Sequence, residues 1–164
     1  MPRGGGSRYA VQARMDGRDF ARFHVDVGMG DEVLELLDIV TGGDWLGFGG
    51  VAPPSLPVIS AEQQFAEKLH AYTLLRGERM NTRTKDLIDM VLLIRGENLD
   101  KGKTAVAIRV TFAKRATHDP PKELDPPPTE WEPVFDALAK ECDLTMKLRQ
   151  GFELVREFTR ALER

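Results

Sequence analysis

The chain has 164 residues, 41% hydrophobic and 30% charged, with a net charge of -3. That balance suits one globular domain with a real core, and excludes a wholly disordered chain or a generally basic nucleic-acid-binding protein. A single cysteine, Cys142, excludes an intramolecular disulfide, zinc ribbons and thioredoxin-like chemistry. No apolar run reaches the ~18 residues of a membrane span and no signal-peptide core follows the N-terminus, so the expectation is a cytoplasmic protein away from the membrane.

Residues 1–8 read as a flexible lead-in, or as a start site placed inside a longer gene. Arg8 to Met15 and Ala21 to Gly28 read as two strands, and the Asp16-Gly17 step between them is a hairpin turn signal. In the second strand Phe23, Val25 and Val27 alternate with Arg22, His24 and Asp26, so one face is apolar and the other polar. Thr41 to Pro57 is loop-like, because Gly42, Gly43, Gly47, Gly49, Gly50, Pro53, Pro54 and Pro57 break any helix or central strand. These glycines match no phosphate-cradling motif.

A helix starts after Ser60, a good N-cap, with Gln63 at the capping-box position and Phe65, Leu69 and Tyr72 as its apolar stripe. It ends at Arg76-Gly77. A second helix runs from Thr84 to Arg95, capped by Asn81 or Thr82, striped by Leu87, Met90, Val91 and Ile94 and stopped by Gly96. In Thr104 to Arg115 the apolar residues fit both strand alternation and helix spacing; the lack of a turn signal favours helix. His118 to Thr129, with five prolines, is an extended surface linker. Helices follow over about Glu130 to Lys140 and Leu144 to Leu162.

Charge is uneven. Arg76 to Arg115 holds ten Lys/Arg against five acids, whereas Ala116 to Asp143 holds two against eight. A basic middle can attract phosphates or simply be a solvated helix surface.

Three places could carry chemistry. Asp26 stands on a strand beside His24; strand carboxylates can hold a divalent metal, and they also commonly face solvent on an edge strand. Lys68 borders the apolar stripe of its helix, where a lysine either snorkels to water, the commoner case, or enters a cleft as a point charge for phosphate. Asp86 and Asp89 share a helix face with Arg83, which could be a phosphate-binding edge or an ordinary helix start with an Arg83–Asp86 ion pair. His70 reads as a packed structural histidine. Cys142, at an acidic helix junction, is an unattractive nucleophile.

Phe23-His-Val-Asp26-Val-Gly28-Met-Gly-Asp31, then Glu67-Lys68-Leu-His70-Ala71, then Arg83-Thr-Lys85-Asp86-Leu-Ile-Asp89, taken in order, resemble the AbiEii/AbiGii nucleotidyltransferase toxin family. The resemblance runs from about Tyr9 to Arg115 and more weakly beyond. It implies an α+β protein, part of a nucleotidyltransferase-fold mixed sheet followed by a helical half. The boundaries it suggests are 1–59 for the sheet, 60–117 for helices lining a nucleotide cleft, 118–129 for the linker and 130–164 for the last helices. It implies transfer of NMP from an NTP, with Mg2+, to an acceptor such as tRNA, in a toxin–antitoxin or phage-defence system with a cognate antitoxin. It implies Asp26 near the metal, Lys68, Arg83 and Lys85 on nucleotide phosphates, and Asp86 or Asp89 lining the cleft. The family's opening Gly-Ser turn and D-x-D pair have no counterpart in this sequence. The resemblance therefore implies an N-terminally truncated member with impaired transfer, or a non-catalytic module that docks nucleotide, RNA or an antitoxin.

Overall fold

The structure is a computed structural model describing residues 5–28, 33–34, 37–74, 83–96 and 99–162. It is an α+β chain with two small antiparallel two-stranded sheets followed by five helices among the described residues. The chain divides into two compact units, one within residues 1–35 and the other within 36–164.

The first unit is a hairpin of β1 (Gly6–Met15) and β2 (Arg18–Gly28). Asp16 and Gly17 take φ of 49° and 70°, the left-handed pair that a two-residue turn needs to match strand twist. Register puts Tyr9 opposite Val25 and Val11 opposite Phe23 on one face, and Arg8 opposite Asp26 and Gln12 opposite Arg22 on the other. The expected apolar and polar faces are thus real. Both strands extend slightly beyond the sequence reading.

The second unit begins with a correction. β3 (Asp38–Thr41) and β4 (Ser55–Val58) pair across the segment expected to be loop, Ile39 opposite Pro57 and Val40 opposite Leu56. Proline is tolerated because each strand has a free edge that asks for no N–H. The glycines instead shape the intervening turn, where Gly42 donates to the Pro54 carbonyl at 2.9 Å.

The helices are α1 (Ala61–Thr73), α2 (Thr84–Gly96), α3 (Lys101–Arg115), α4 (Glu132–Glu141) and α5 (Leu148–Leu162). Ser60 caps α1 by accepting from Gln63 N–H at 3.2 Å. Ser60→Ala is expected to cost about 1 kcal/mol, read as a lower midpoint in urea unfolding. The Thr104–Arg115 stretch is helical, capped by Asp100, which accepts from Lys103 N–H at 2.8 Å. The end expected for α1 at Arg76-Gly77 and the caps Asn81 and Thr82 lie outside the described residues.

α2 is the central helix, packed against α1, α4 and α5, while α3 packs on α1 and α5. The core is Phe65, Leu69, Leu87, Met90, Val91, Phe112, Phe135, Phe152 and Val155, all essentially buried. The linker is held down by Leu124, which is buried, and by Tyr72, whose hydroxyl donates to the Asp125 carbonyl at 3.2 Å and whose ring meets Trp131 edge-on.

α5 starts four residues later than its periodicity suggests. Asp143 takes a left-handed φ of 53° and the Leu144 N–H closes α4 on the Ala139 carbonyl at 2.8 Å. Residues 144–147 after that closure are not helical. Gln150 then accepts from Lys147 N–H at 2.8 Å at the new start.

Candidate functional site

α1 and α2 face each other, and their contact decides where Lys68 points. Its amine does not reach for bulk water. It donates to Asp89 Oδ2 at 2.6 Å and lies 3.3 Å from Asp86 Oδ1. Asp86, in the first turn of α2, is anchored on its other oxygen by Arg83 Nη1 at 3.0 Å. Two cations and two carboxylates therefore form one chain, Arg83–Asp86–Lys68–Asp89. Asp86 is its most buried member, with a side chain only 10% exposed; Lys68 is 35% exposed.

Burial alone would lower the Lys68 pKa. The hydrogen bond and charge of Asp89, with those of Asp86, outweigh it and hold the amine above its ordinary value. Lys68 is thus a fixed cation at neutral pH. Its charge is matched by its neighbours, so an incoming anion has to displace a carboxylate to reach it.

Four sequence candidates, Lys68, Arg83, Asp86 and Asp89, come together here. Lys85 does not join them: one residue before Asp86, it is exposed and makes no ion pair with the cluster among the described residues. Asp26 belongs to the hairpin unit, where Arg8 grips both its oxygens at 2.6 and 2.8 Å on the exposed polar face. That pairing lowers its pKa, against a small opposing effect of burial. Asp31, Arg76 and Arg79 lie outside the described residues.

The donor set does not by itself fit a resident divalent cation. Among the described residues no cluster of three or more His, Cys, Asp or Glu exists. Asp86, Asp89 and Asp26 each already face a cation, and Mg2+ asks for several free oxygens.

A second network, which no motif in the sequence announces, occupies another side of α1. Glu67 accepts from Arg115 at 2.6 and 2.9 Å, tying α1 to the end of α3. His70 Nε2 meets Thr117 Oγ1 at 2.8 Å, and His118 bridges Thr117 and Thr73 at 3.0 and 2.8 Å. The His70 ring packs edge-on to Phe112 at 4.9 Å. His70 is therefore the structural histidine its position suggests. The one-turn offset between Glu67 and His70 is the only local signal for this network, and their partners lie more than 40 residues away.

Burial, then the charges of His118 and Arg115, push His70 down to about 4 from an ordinary 6.5. The unfolded chain thus takes up a proton first as pH falls, so stability is lost between about pH 6.5 and 4 and is unaffected above. At pH 4.5 the loss is expected to be on the order of 2–3 kcal/mol. Chemical denaturation of wild type and His70→Gln at pH 7 and 4.5 measures it: the pH-dependent drop should be smaller in the variant by this amount.

No helix among the described residues is long and apolar enough to cross a membrane. The family model described as "Nucleotidyl transferase AbiEii toxin, Type IV TA system" matches residues 2–163. No curated protein matches the chain.

Proposed function

The chain belongs to the AbiEii nucleotidyl transferase toxin family of type IV toxin–antitoxin systems, and from that membership we propose that the Lys68 cluster is its nucleotide site. The observation that carries this reading is the Lys68 amine, delivered by α1 to within 2.6 Å of Asp89 and 3.3 Å of Asp86 on α2. A nucleoside triphosphate takes Lys68 and Arg83 as its counter-charges. An acceptor hydroxyl attacks the α-phosphorus while its proton passes to solvent, the bond from that phosphorus to the oxygen bridging to the β-phosphorus breaks, and pyrophosphate leaves. Transfer of this kind asks the protein mainly for position and charge neutralisation. Asp86 orients Arg83 and Lys68, and Asp89 fixes the amine.

An acceptor such as tRNA is supported by α3, whose fifteen residues carry five Lys/Arg and no acid. A reducing, cytoplasmic setting is supported by the single cysteine.

Mg2+ belongs to the reaction as the resemblance implies it, with Asp26 as a candidate ligand. The carboxylates described above are too few and too occupied to hold it alone, and the sequence contains no D-x-D pair. We therefore propose that transfer by these 164 residues is impaired unless further carboxylates are supplied by another segment or polypeptide. The second reading is a module that docks nucleotide, RNA or the antitoxin without transfer. It is favoured by the complete internal pairing of the cluster.

The test incubates the purified chain with NTPs labelled at the α- or γ-phosphate, Mg2+ and total tRNA. Label passing to RNA from α-labelled but not γ-labelled nucleotide supports NMP transfer, and its loss in Asp86→Ala ties it to this cluster. No transfer from folded protein, with heat of nucleotide binding by calorimetry, supports the docking module. Absence of transfer, together with no heat on titration with millimolar nucleotide, overturns the nucleotide site, and no heat with tRNA as well overturns nucleotide and RNA docking.

A further inference from the structure

Separate from the Lys68 cluster, α1, α3, α5 and the linker border a cleft of about 310 Å3. Leu69, Ile108, Ala105, Leu162, Pro120 and Pro121 line it, with the Thr159 hydroxyl. Among the described residues Arg109 is the one charged residue lining it, and Arg109 also lines an adjoining cleft of about 480 Å3 beside His118 and Asp119.

Three features point to one ligand chemistry. The volume is at the small end of ligand pockets, and the lining is almost wholly aliphatic. Arg109 is exposed and holds no hydrogen bond or ion pair among the described residues, whereas Arg8, Arg83, Arg115 and Arg160 each grip a carboxylate. No acid on α3 offsets it; Asp119 faces the adjoining cleft without pairing to it. One guanidinium fork beside an aliphatic slot matches a monoanion with an apolar tail. A nucleotide would ask for several phosphate donors and an aromatic or polar base platform, and the lining has neither among the described residues.

We propose that this cleft binds a small aliphatic carboxylate, its tail against Leu69, Ile108 and Leu162 and its carboxylate on Arg109. The inference is independent of the nucleotide reading, since none of these residues belongs to that cluster.

The test titrates the full 15N-labelled chain with octanoate, octylammonium and octanol, following amide shifts by NMR. Octanoate is expected to shift Ala105, Ile108 and Leu162 saturably at millimolar concentration, and octylammonium to leave them unmoved. Arg109→Gln, a surface change that should not disturb folding, is expected to weaken octanoate about tenfold. Ala105→Phe is expected to abolish it by filling the slot, with circular dichroism confirming the fold. Absence of saturable shifts, shifts confined to other residues, equal binding of octylammonium, or unchanged octanoate affinity in Arg109→Gln overturns the proposal.

Discussion

Lys68→Ala is expected to lower nucleotide transfer at least about hundredfold while leaving the helical unit folded. The amine meets both α2 carboxylates of the cluster. Removing it takes away the cation that an incoming phosphate would use and leaves Asp86 and Asp89 as a repulsive pair. The anion then meets carboxylates with only Arg83 to answer them. Stability should fall modestly, because two partly buried carboxylates lose their shared cation while Arg83 still holds Asp86. Lys68→Arg is expected to recover only part of the rate, since the planar fork does not occupy the ammonium's position between the two carboxylates. Label transfer and thermal melting, measured on the same preparations, check both expectations. Undiminished transfer in Lys68→Ala would remove the cluster from the mechanism.

Phe135→Ala is expected to destabilise the helical unit by about 3–5 kcal/mol. The ring is completely buried where α4 meets α2 and α5. Its fit is tight: a Cβ placed on Gly151 of α5 would lie 2.7 Å from the ring tip and 3.4 Å from a Val91 methyl. Glycine there lets α5 approach the ring, and deleting the ring leaves a cavity that helices held at this distance cannot close. The reciprocal change, Gly151→Ala, overfills the same contact and should cost about 1–3 kcal/mol, reduced by the better helix propensity of alanine. Urea unfolding curves of the two variants measure these costs. Since α2 carries both Phe135's neighbour Val91 and the site carboxylates, loss of this packing is also expected to loosen Asp86 and Asp89.

Much of the helical half is legible in the residues alone. Ser60 with Gln63 marks the start of α1, the apolar stripe of α1 is buried, and so are Leu87, Met90 and Val91 of the α2 stripe, whereas Ile94 is half-buried. The two-residue turn at Asp16-Gly17 marks the first hairpin. What escapes local reading is decided by partners distant in sequence. β3 and β4 are hidden by Pro57 and by glycines that act as breakers in isolation but lie in the turn or on free edges of a two-stranded sheet. The Glu67–Arg115 and His70–Thr117 contacts join residues 48 and 47 apart, beyond any local pattern. The start of α5 depends on how α4 closes.

The site divides the same way. The sequence alone determined that α1 would carry Lys68 at the border of its stripe and that α2 would present Asp86, Asp89 and Arg83 on one face. Helix period sets those angles, and composition sets the charges. Periodicity about one helix axis says nothing about which neighbour a border residue meets, so snorkelling is the ordinary expectation for Lys68. Only the packing of α1 on α2 turned its amine onto both carboxylates, because a partly desolvated ammonium is most stable where opposite charges replace the water it gives up. The same packing makes Asp86 and Asp89 share the lysine, and leaves Lys85, one residue before Asp86, facing solvent.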